Sequence, residues 1–319
     1  MRVSRFLTPL VALLLALAVA PGAEAQDRRL YNQDELAELL YGQQDDLDRL
    51  PEVTYRYYVL DHPTGNSVFA RTRLYREAGG GDVEVGKDRL DMVEFFNRVR
   101  VGDLAIGDTL VMPSHLGLDH RAYAPFPRVY PGAADLGKLF VIHKGVQAWA
   151  AYEEGRLLRW GLVNTGKEST PTPAGRFNFN WKELERISSE SPPGEEWLMR
   201  YVFNFHNERG IHIHQYQMPT GEPASHGCVR LILADARWIY DWADPWVTTN
   251  GRGAKGGQIR QQGTMVLVLG EGEEPKDGPP QRFLYTPDGP RLRVVDLPAD
   301  PWSVPPGSDQ QRAWDRRRS

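Results

Sequence analysis

The residues most able to do chemistry lie close together between positions 206 and 228. Four of the eight histidines fall there, and the chain's single cysteine, Cys228, follows two residues after the last of them. A lone cysteine cannot form a disulfide within the chain, so its thiol is either buried and inert or kept for its chemistry. A thiol becomes a useful nucleophile when a base is within reach, and histidine exchanges its proton near neutral pH. This stretch therefore predicts a cysteine nucleophile activated by histidine.

The cysteine lies in the string SHGCVR (residues 225–230), at a predicted turn between a strand and a helix. Gly227 allows unusual backbone dihedral angles, and main-chain N–H groups beside it could stabilise an oxyanion. Arg230 is suited to hold a carboxylate or to add positive potential near a thiolate. Upstream, His212 and His214 share one face of a predicted strand, because side chains alternate with period two. Either histidine is a candidate base.

Several strings, taken in order, resemble the signature of L,D-transpeptidases of the YkuD type. They are Ile213-His214, a short glycine-containing loop and then SHGCVRL at 225–231, preceded by NTGK at 164–167 and TPAGRF at 172–177. The resemblance covers roughly residues 138–270.

This resemblance implies a mostly β catalytic domain that acts on the tetrapeptide stems of peptidoglycan. The cysteine would attack the bond between the L-centre of a diamino acid and the terminal D-alanine, and D-alanine would leave. An amine of a neighbouring stem would then take the acyl group, giving a 3→3 cross-link. Neither a cofactor nor a metal is expected. The implied site consists of the nucleophile Cys228, the base His214, the loop and oxyanion residues His226 and Gly227, and the substrate contacts Arg230, Ser225 and His212, with His212 a second candidate base.

The same residues leave other functions open. With water as the acyl acceptor the enzyme would be an L,D-carboxypeptidase, and with a lipoprotein lysine it would be an anchoring enzyme. His212 and His214 with His226 or Cys228 also provide the residue types of a zinc site, although the helical H-E-x-x-H motif of zinc peptidases is missing. A wall-binding protein that has lost its activity is a further alternative.

Composition and charge exclude other classes of protein. The formal net charge of −4 argues against a nucleic-acid binder that relies on phosphate contacts. The N-terminus resembles an export signal, because Arg2 and Arg5 precede an apolar stretch at 6–20 and Ala23-Glu24-Ala25 fits the cleavage pattern. We therefore expect an exported protein of the periplasm or cell wall that is not integral to the membrane once processed. An uncleaved anchor is the alternative.

The chain is expected to contain four segments. They are a signal peptide (1–25), a smaller α+β N-terminal region (26–136), a mainly β catalytic domain of the β-sandwich type with one or two short helices (137–270), and a Pro-rich, partly disordered tail (271–319). Within the N-terminal region, the segment Asn97 to Pro113 weakly resembles the second half of a LysM repeat, a peptidoglycan-binding module. An ordinary turn and strand is the alternative.

Hydrophobic periodicity predicts the elements that would position the site. A helix from Asn32 to Leu50 carries its leucines on one face, with Glu35 three residues after Asn32 as a variant of the capping box. Residues 244–263 form a Gly-rich insertion, and 291–297 could add one strand to the tail. Short apolar or alternating runs predict strands at 53–60, 109–112, 139–143, 147–152, 157–163, 177–179, 200–205, 211–215 and 264–269, and helices at 90–97 and 234–243.

Overall fold

The structure is a computed structural model of the 319-residue chain, and it describes residues 33–97, 99–216, 222–270 and 294–317. The expected signal peptide (1–25) and the expected helix cap Asn32 lie outside the described residues. No helix within the described ranges is long and apolar enough to cross a membrane.

The N-terminal region is the α+β unit that the sequence predicts. Its strands β1 and β2 pair antiparallel, from Tyr55 opposite Pro113 to Val59 opposite Thr109. Two helices connect these strands, and Asn66 caps the first of them by accepting hydrogen bonds from the main-chain N–H groups of Val68 and Phe69. The elements are α1 (Gln33–Tyr41), β1 (Tyr55–Val59), α2 (Ser67–Ala78), α3 (Val83–Asn97) and β2 (Thr109–Pro113).

Helix α1 ends nine residues earlier than its leucine pattern predicts. It stops at Tyr41, and Leu47 and Leu50 are buried by a short 3₁₀ turn and the residue after it. The reason is a buried ion pair between Asp119 and Arg121. The Asp119 carboxylate accepts from the main-chain N–H of Asp45, and Arg121 donates to the Asp45 carbonyl. These tertiary hydrogen bonds replace those that a longer helix would make.

Asn97 joins the end of α3 to β2. Its side-chain amide donates to the carbonyls of Val93 and Val111 and accepts from the Val111 N–H, and the residue is completely buried. A buried amide with three hydrogen bonds fixes the geometry of both elements. Asn97 begins the segment that resembles a LysM repeat, and the structure gives this asparagine a bracing role.

Within the described residues of 137–270, the expected catalytic domain (called the catalytic region below), the chain forms a β-sandwich with one α-helix. A five-stranded sheet has the order β5-β4-β3-β14-β6, and a four-stranded sheet has the order β10-β9-β8-β7. The elements of the two sheets, with the helix α4, are β3 (Lys138–His143), β4 (Ala148–Glu153), β5 (Arg156–Leu162), β6 (Gly175–Asn178), β7 (Lys182–Ile187), β8 (Leu198–His206), β9 (Ile211–Gln215), β10 (Val229–Leu231), α4 (Leu233–Trp242) and β14 (Met265–Leu269).

Sequence analysis missed the strands β7 and β10. The former is charged and lies at the edge of the four-stranded sheet, so it has no apolar alternation to reveal it. The latter has only three residues directly after the cysteine. The Gly-rich insertion at 244–263 contains a small three-stranded sheet of the order β12-β11-β13, made of β11 (Val247–Thr248), β12 (Gly251–Arg252) and β13 (Ile259–Gln261).

The five-stranded sheet is buried on both faces. On one face Phe140 and Ile142 pack against side chains of the four-stranded sheet, such as Phe203. On the other face Leu139 and Val141 pack in one core with leucines and aromatic residues of the N-terminal region. Side chains alternate along each strand. The catalytic region and the N-terminal region therefore share a hydrophobic core across this sheet.

Within the expected Pro-rich tail (271–319), the structure describes residues 294–317, and these pack on the catalytic region. The segment 304–307 runs along the edge strand β6, where the Arg176 N–H donates to the Pro305 carbonyl and the Gly307 N–H to the Arg176 carbonyl. The helix α5 (Asp309–Asp315) follows, and Asp315 binds the Arg176 guanidinium at 2.6 Å. This segment covers hydrogen-bonding groups that an edge strand would otherwise expose. No strand forms at 294–297.

Candidate active site

The parallel pairing of β10 with β9 places the cysteine beside a histidine. Val229 pairs with Ile213, so the preceding residue, Cys228, lies beside His212. The distance from Cys228 Sγ to His212 Nδ1 is 3.6 Å, which is within range of a hydrogen bond that involves sulfur. His212 is buried, and its ring packs edge-on against the indole of Trp181 at a centroid distance of 5.0 Å.

His214 does not take the place at the thiol that the sequence analysis gave it. Its Nδ1 lies 2.8 Å from the carbonyl oxygen of Gln215, and its partner across the strand pair is Arg230. Along the chain His214 is two residues closer to Cys228 than His212 is. In space the order is reversed. Because β10 runs parallel to β9, the chain passes back along β9 beyond His214 before it reaches Cys228, which therefore lies beside His212. The histidine that contacts the thiol in this structure is thus His212, the second candidate base, and not His214.

Both partners of the pair are neutral at physiological pH. Burial raises the pKa of the Cys228 thiol, although a hydrogen bond from the His212 main chain and the charge of Arg230 lower it. Burial lowers the pKa of His212 to about 3, and the nearby charges of His214, Arg186 and Lys255 act in the same direction. A neutral imidazole next to a neutral thiol can accept the S–H proton as attack begins.

The turn before the cysteine is held by its own serine. Ser225 is buried, and its hydroxyl oxygen accepts from the Gly227 N–H at 3.0 Å while the hydroxyl donates to the Cys228 carbonyl. In this structure both hydrogen bonds of the Ser225 hydroxyl, which was expected to contact substrate, lie within the turn. The φ angle of Gly227 is +118°, a region that favours glycine. Because its N–H is already bonded, the expected oxyanion donors are reduced to the N–H groups of His226 and Cys228.

The loop that connects β5 to β6 supports this turn. The Thr172 hydroxyl donates to the Gly227 carbonyl at 2.8 Å and accepts from the Gly166 N–H at 2.9 Å, and Thr172 is completely buried. A Cβ on Gly166 would come within 2.9 Å of Gly227 Cα, so the two loops touch through their backbones. These residues belong to the NTGK and TPAGRF strings. Sequence analysis recognised the strings but gave Thr172 no role.

Two groups of side chains lie at the mouth of the site. His226 is exposed, its ring stacks 6.3 Å from that of Trp197, and its Nε2 lies 3.4 Å from Lys167 Nζ. Arg230 is half-buried and holds its guanidinium 4.1 Å above the Tyr216 ring. The structure therefore brings His226 and Arg230 to the rim of the site rather than to the sulfur atom.

Sequence analysis missed a cationic cluster beside His212. Arg186 and Lys255 lie 5.5 and 4.6 Å from the Trp181 ring centroid, and both pair with Glu183. Lys255 comes from the Gly-rich insertion, which lies outside the recognised strings. No sequence motif links these residues, because they meet only through the packing of β7 and the insertion. With two cations and one carboxylate, the cluster adds positive charge to one side of the site.

The residue types that suggested a zinc site are distributed differently. His212 Nδ1 faces the thiol, whereas His214 Nδ1 faces a main-chain carbonyl. Within the described part of the chain, no three His, Cys, Asp or Glu side chains are grouped so that they could hold a metal ion.

The order of the strings and the thiol–imidazole pair agree with the match to a protein-family model. The model of the L,D-transpeptidase catalytic domain, YkuD, matches residues 137–268. Residues 137–268 are therefore similar to the catalytic domain of L,D-transpeptidases. Apart from Leu269 at the end of β14, the two sheets, the helix α4 and the Cys228 turn lie within the matched range. The match agrees with the family resemblance expected from the sequence for this region.

Solved L,D-transpeptidases align with this region at low identity. One from Mycobacterium smegmatis is 20% identical, with 42% of this chain and 59% of that chain covered and a TM-score of 0.33. One from Stackebrandtia nassauensis is 22% identical, with 45% and 59% covered and a TM-score of 0.33. This chain therefore spans less than two thirds of these solved chains. The comparison with curated proteins gives no match.

Proposed function

We propose that this chain is an exported L,D-transpeptidase that joins peptidoglycan stems through a thioester on Cys228. The observation that carries the proposal is the thiol–imidazole contact of 3.6 Å within a domain of this family. The cations at the site suit an acidic peptide, because a stem carries several carboxylates. The proposed donor is a tetrapeptide stem.

In the proposed first half-reaction Cys228 Sγ attacks the carbonyl carbon that precedes the terminal D-alanine. The S–H proton passes to His212 Nδ1, the C–N bond breaks, and the leaving amine of D-alanine takes the proton from His212. The N–H groups of His226 and Cys228 are the proposed donors to the oxyanion. His214, held by the Gln215 carbonyl, is a positioning residue for the strand that carries His212.

In the proposed second half-reaction the side-chain amine of a neighbouring stem attacks the thioester. His212 accepts a proton from that amine and returns it to the sulfur, an amide forms, and the thiol is regenerated. With water in place of the amine, the product is a tripeptide, as in an L,D-carboxypeptidase. With a lipoprotein lysine, the product is an anchored protein.

Mass spectrometry of purified muropeptides incubated with the enzyme tests the proposal. Wild type should release D-alanine from tetrapeptide muropeptides and form 3→3 dimers, and Cys228→Ala should do neither. Tripeptides without dimers would indicate that the enzyme is an L,D-carboxypeptidase and not a transpeptidase. Consumption of pentapeptides alone, or full activity of Cys228→Ala, would contradict the mechanism, and loss of activity in EDTA would favour the zinc peptidase.

The proposal includes a wall-binding role for the N-terminal region. The segment that resembles a LysM repeat belongs to a unit with exposed apolar side chains at Tyr57, Val68 and Phe69. Pull-down of the protein with insoluble peptidoglycan, before and after Tyr57→Ala and Phe69→Ala, tests this role. Unchanged sedimentation of the double variant would contradict it.

A further inference from the structure

A cavity separate from the candidate active site lies where the C-terminal segment crosses one end of the five-stranded sheet. Its volume is about 620 Å³, and neither Cys228 nor His212 lines it. The lining comes from β3, β6, the Gly-rich insertion and the C-terminal segment. The lining includes Lys138, Asn178, Arg252, Arg260, Trp302 and Trp314.

Two polar atoms of this lining are buried without a hydrogen-bond partner among the described residues. Asn178 is only 8% exposed, and its amide nitrogen donates to the Gly263 carbonyl, but its Oδ1 has no donor. The indole Nε1 of Trp314 is also buried and has no acceptor. Buried polar groups without partners cost free energy and are rare. Both residues line the cavity, so a shift of these two side chains would bring an acceptor and a donor to its surface, where a hydroxyl group can bind to both.

The lining carries net positive charge. Lys138, Arg252 and Arg260 face a single carboxylate, that of Asp244, so three positive charges and one negative leave +2. Asp244 pairs with Lys138 and Arg252. Arg260 is exposed, and no ion pair to it is found within the described residues. This guanidinium is available to an anionic ligand, and guanidinium binds carboxylates in a bidentate manner.

Two indole rings complete the lining. Trp302 is 47% exposed, which is high for the largest side chain, and the Arg176 guanidinium lies 5.1 Å from its ring centroid. An indole presents a flat apolar face with a polar N–H at its edge. The C–H face of a sugar ring matches such a surface, while its hydroxyl groups and acidic substituents can reach the polar atoms beside it.

We propose that this cavity binds an oligosaccharide that bears carboxylates, namely a glycan strand of the wall polymer. The choice of polymer rests on the proposed function. Asn178 and Trp181 are three residues apart, so their Cα atoms lie within about 11 Å of each other. Trp181 packs on His212, and a strand held at Asn178 therefore lies near the site where stems react.

Binding of a defined glycan to the full chain tests the proposal. The probe is a tetrasaccharide of alternating N-acetylglucosamine and N-acetylmuramic acid without stem peptides, titrated by calorimetry against neutral chitotetraose. The acidic probe should bind at least about 10-fold more tightly than the neutral one. Arg260→Glu and Trp314→Phe should each weaken its binding by about 10-fold or more, whereas Arg237→Glu, an exposed arginine of α4 outside the lining, should not.

Acylation of Cys228 by a soluble tetrapeptide, measured in parallel, separates this proposal from the catalytic one. Arg260→Glu should acylate at the wild-type rate, which also shows that it is folded. Acylation without glycan binding, or equal binding of chitotetraose, would overturn the inference and leave the catalytic proposal intact. Glycan binding without acylation would support the inference and contradict the catalytic proposal. Tighter binding of a glycerol phosphate oligomer than of the tetrasaccharide would also overturn the inference.

Discussion

The protonation state of the Cys228–His212 pair determines how reactivity depends on pH. The pKa of the thiol is raised by burial, and that of His212 is lowered to about 3. The thiolate is therefore a minor species at pH 7, and it increases as the pH rises. A preformed thiolate–imidazolium pair would have the opposite shifts. In this protein the histidine is suited to remove a proton during attack rather than to stabilise a resting thiolate.

These pKa shifts predict how the rate of Cys228 alkylation by iodoacetamide depends on pH. Only the thiolate reacts, so the rate constant should increase by about 10-fold per pH unit between pH 6 and 9. No inflection is expected near pH 6.5, because His212 stays neutral over that range. Rates at several pH values, followed by intact-protein mass, provide the measurement. A plateau that begins below pH 7 would show an ion pair instead.

Replacement of the two strand histidines should separate their roles. His212→Ala should lower the rate of acylation by a carbapenem or a tetrapeptide by at least about 100-fold, the lower end of a positioned base's contribution. His214→Ala should cost clearly less, because its Nδ1 contacts a main-chain carbonyl. Stopped-flow kinetics, with circular dichroism to check folding, measures both. Normal acylation by His212→Ala together with loss in His214→Ala would exchange the two roles.

The residue types of the site could be predicted from the sequence, but their pairing could not. The lone cysteine and its histidines are visible as a cluster, and the strings around them indicate the family. Which histidine meets the thiol depends on the register between β9 and β10, and β10 is too short to be recognised. Ser225 was expected to contact substrate because its hydrogen bonds within the turn are likewise not visible in the sequence.

Among the elements, the loop between β5 and β6, which contains Thr172, holds the cysteine turn in place. Thr172→Val keeps the shape but leaves the buried Gly227 carbonyl and Gly166 N–H without their partner, at about 1–3 kcal/mol for each group. We expect a lower melting temperature and slower acylation. Thr172→Ser retains the hydroxyl and should restore most of both. Equal melting temperatures for the Val and Ser variants would show that these two hydrogen bonds do not support the turn.

Strong periodicity made most elements predictable, and tertiary contacts explain the exceptions. The strands β3, β4, β5, β8, β9 and β14 lie where apolar or alternating runs place them. The predicted helix from Asn32 to Leu50 was too long because the Asp119–Arg121 pair binds the backbone at Asp45. The C-terminal segment contains few apolar residues, and it packs through main-chain bonds to Arg176. Neither interaction has a local sequence signal.

At the scale of the whole molecule, the N-terminal region and the catalytic region are joined by polar as well as apolar contacts. The hydroxyl of Tyr41 on α1 donates a hydrogen bond to the buried carboxylate of Asp235 on α4. This carboxylate also accepts a hydrogen bond from Trp149 Nε1 at 3.1 Å. The Arg159 guanidinium lies 3.9 Å from the Tyr41 ring and 4.5 Å from that of Trp238. Helix α4 follows the cysteine strand directly, so these contacts connect the N-terminal region to the element beside the candidate site.

A fragment limited to residues 137–319 should fail to fold as a soluble protein. Removal of the N-terminal region exposes one face of the five-stranded sheet. The apolar area of that face is far larger than the few hundred Å² of contiguous apolar surface that soluble monomers tolerate. The buried side chains on that face are Leu139, Val141, Ala148, Ala150, Tyr152, Leu157, Trp160, Leu162, Met265 and Leu267.

The matched control is the fragment 33–319, which keeps the shared core and should have native circular dichroism, a cooperative melting transition and a reactive Cys228. The shorter fragment should bind the dye ANS, melt without cooperativity and aggregate. Because the sheet is buried on both faces, the family-matched range 137–268 is not expected to be an independent folding unit. A soluble 137–319 fragment that melts cooperatively and is acylated at the wild-type rate would show that the N-terminal region is dispensable for folding.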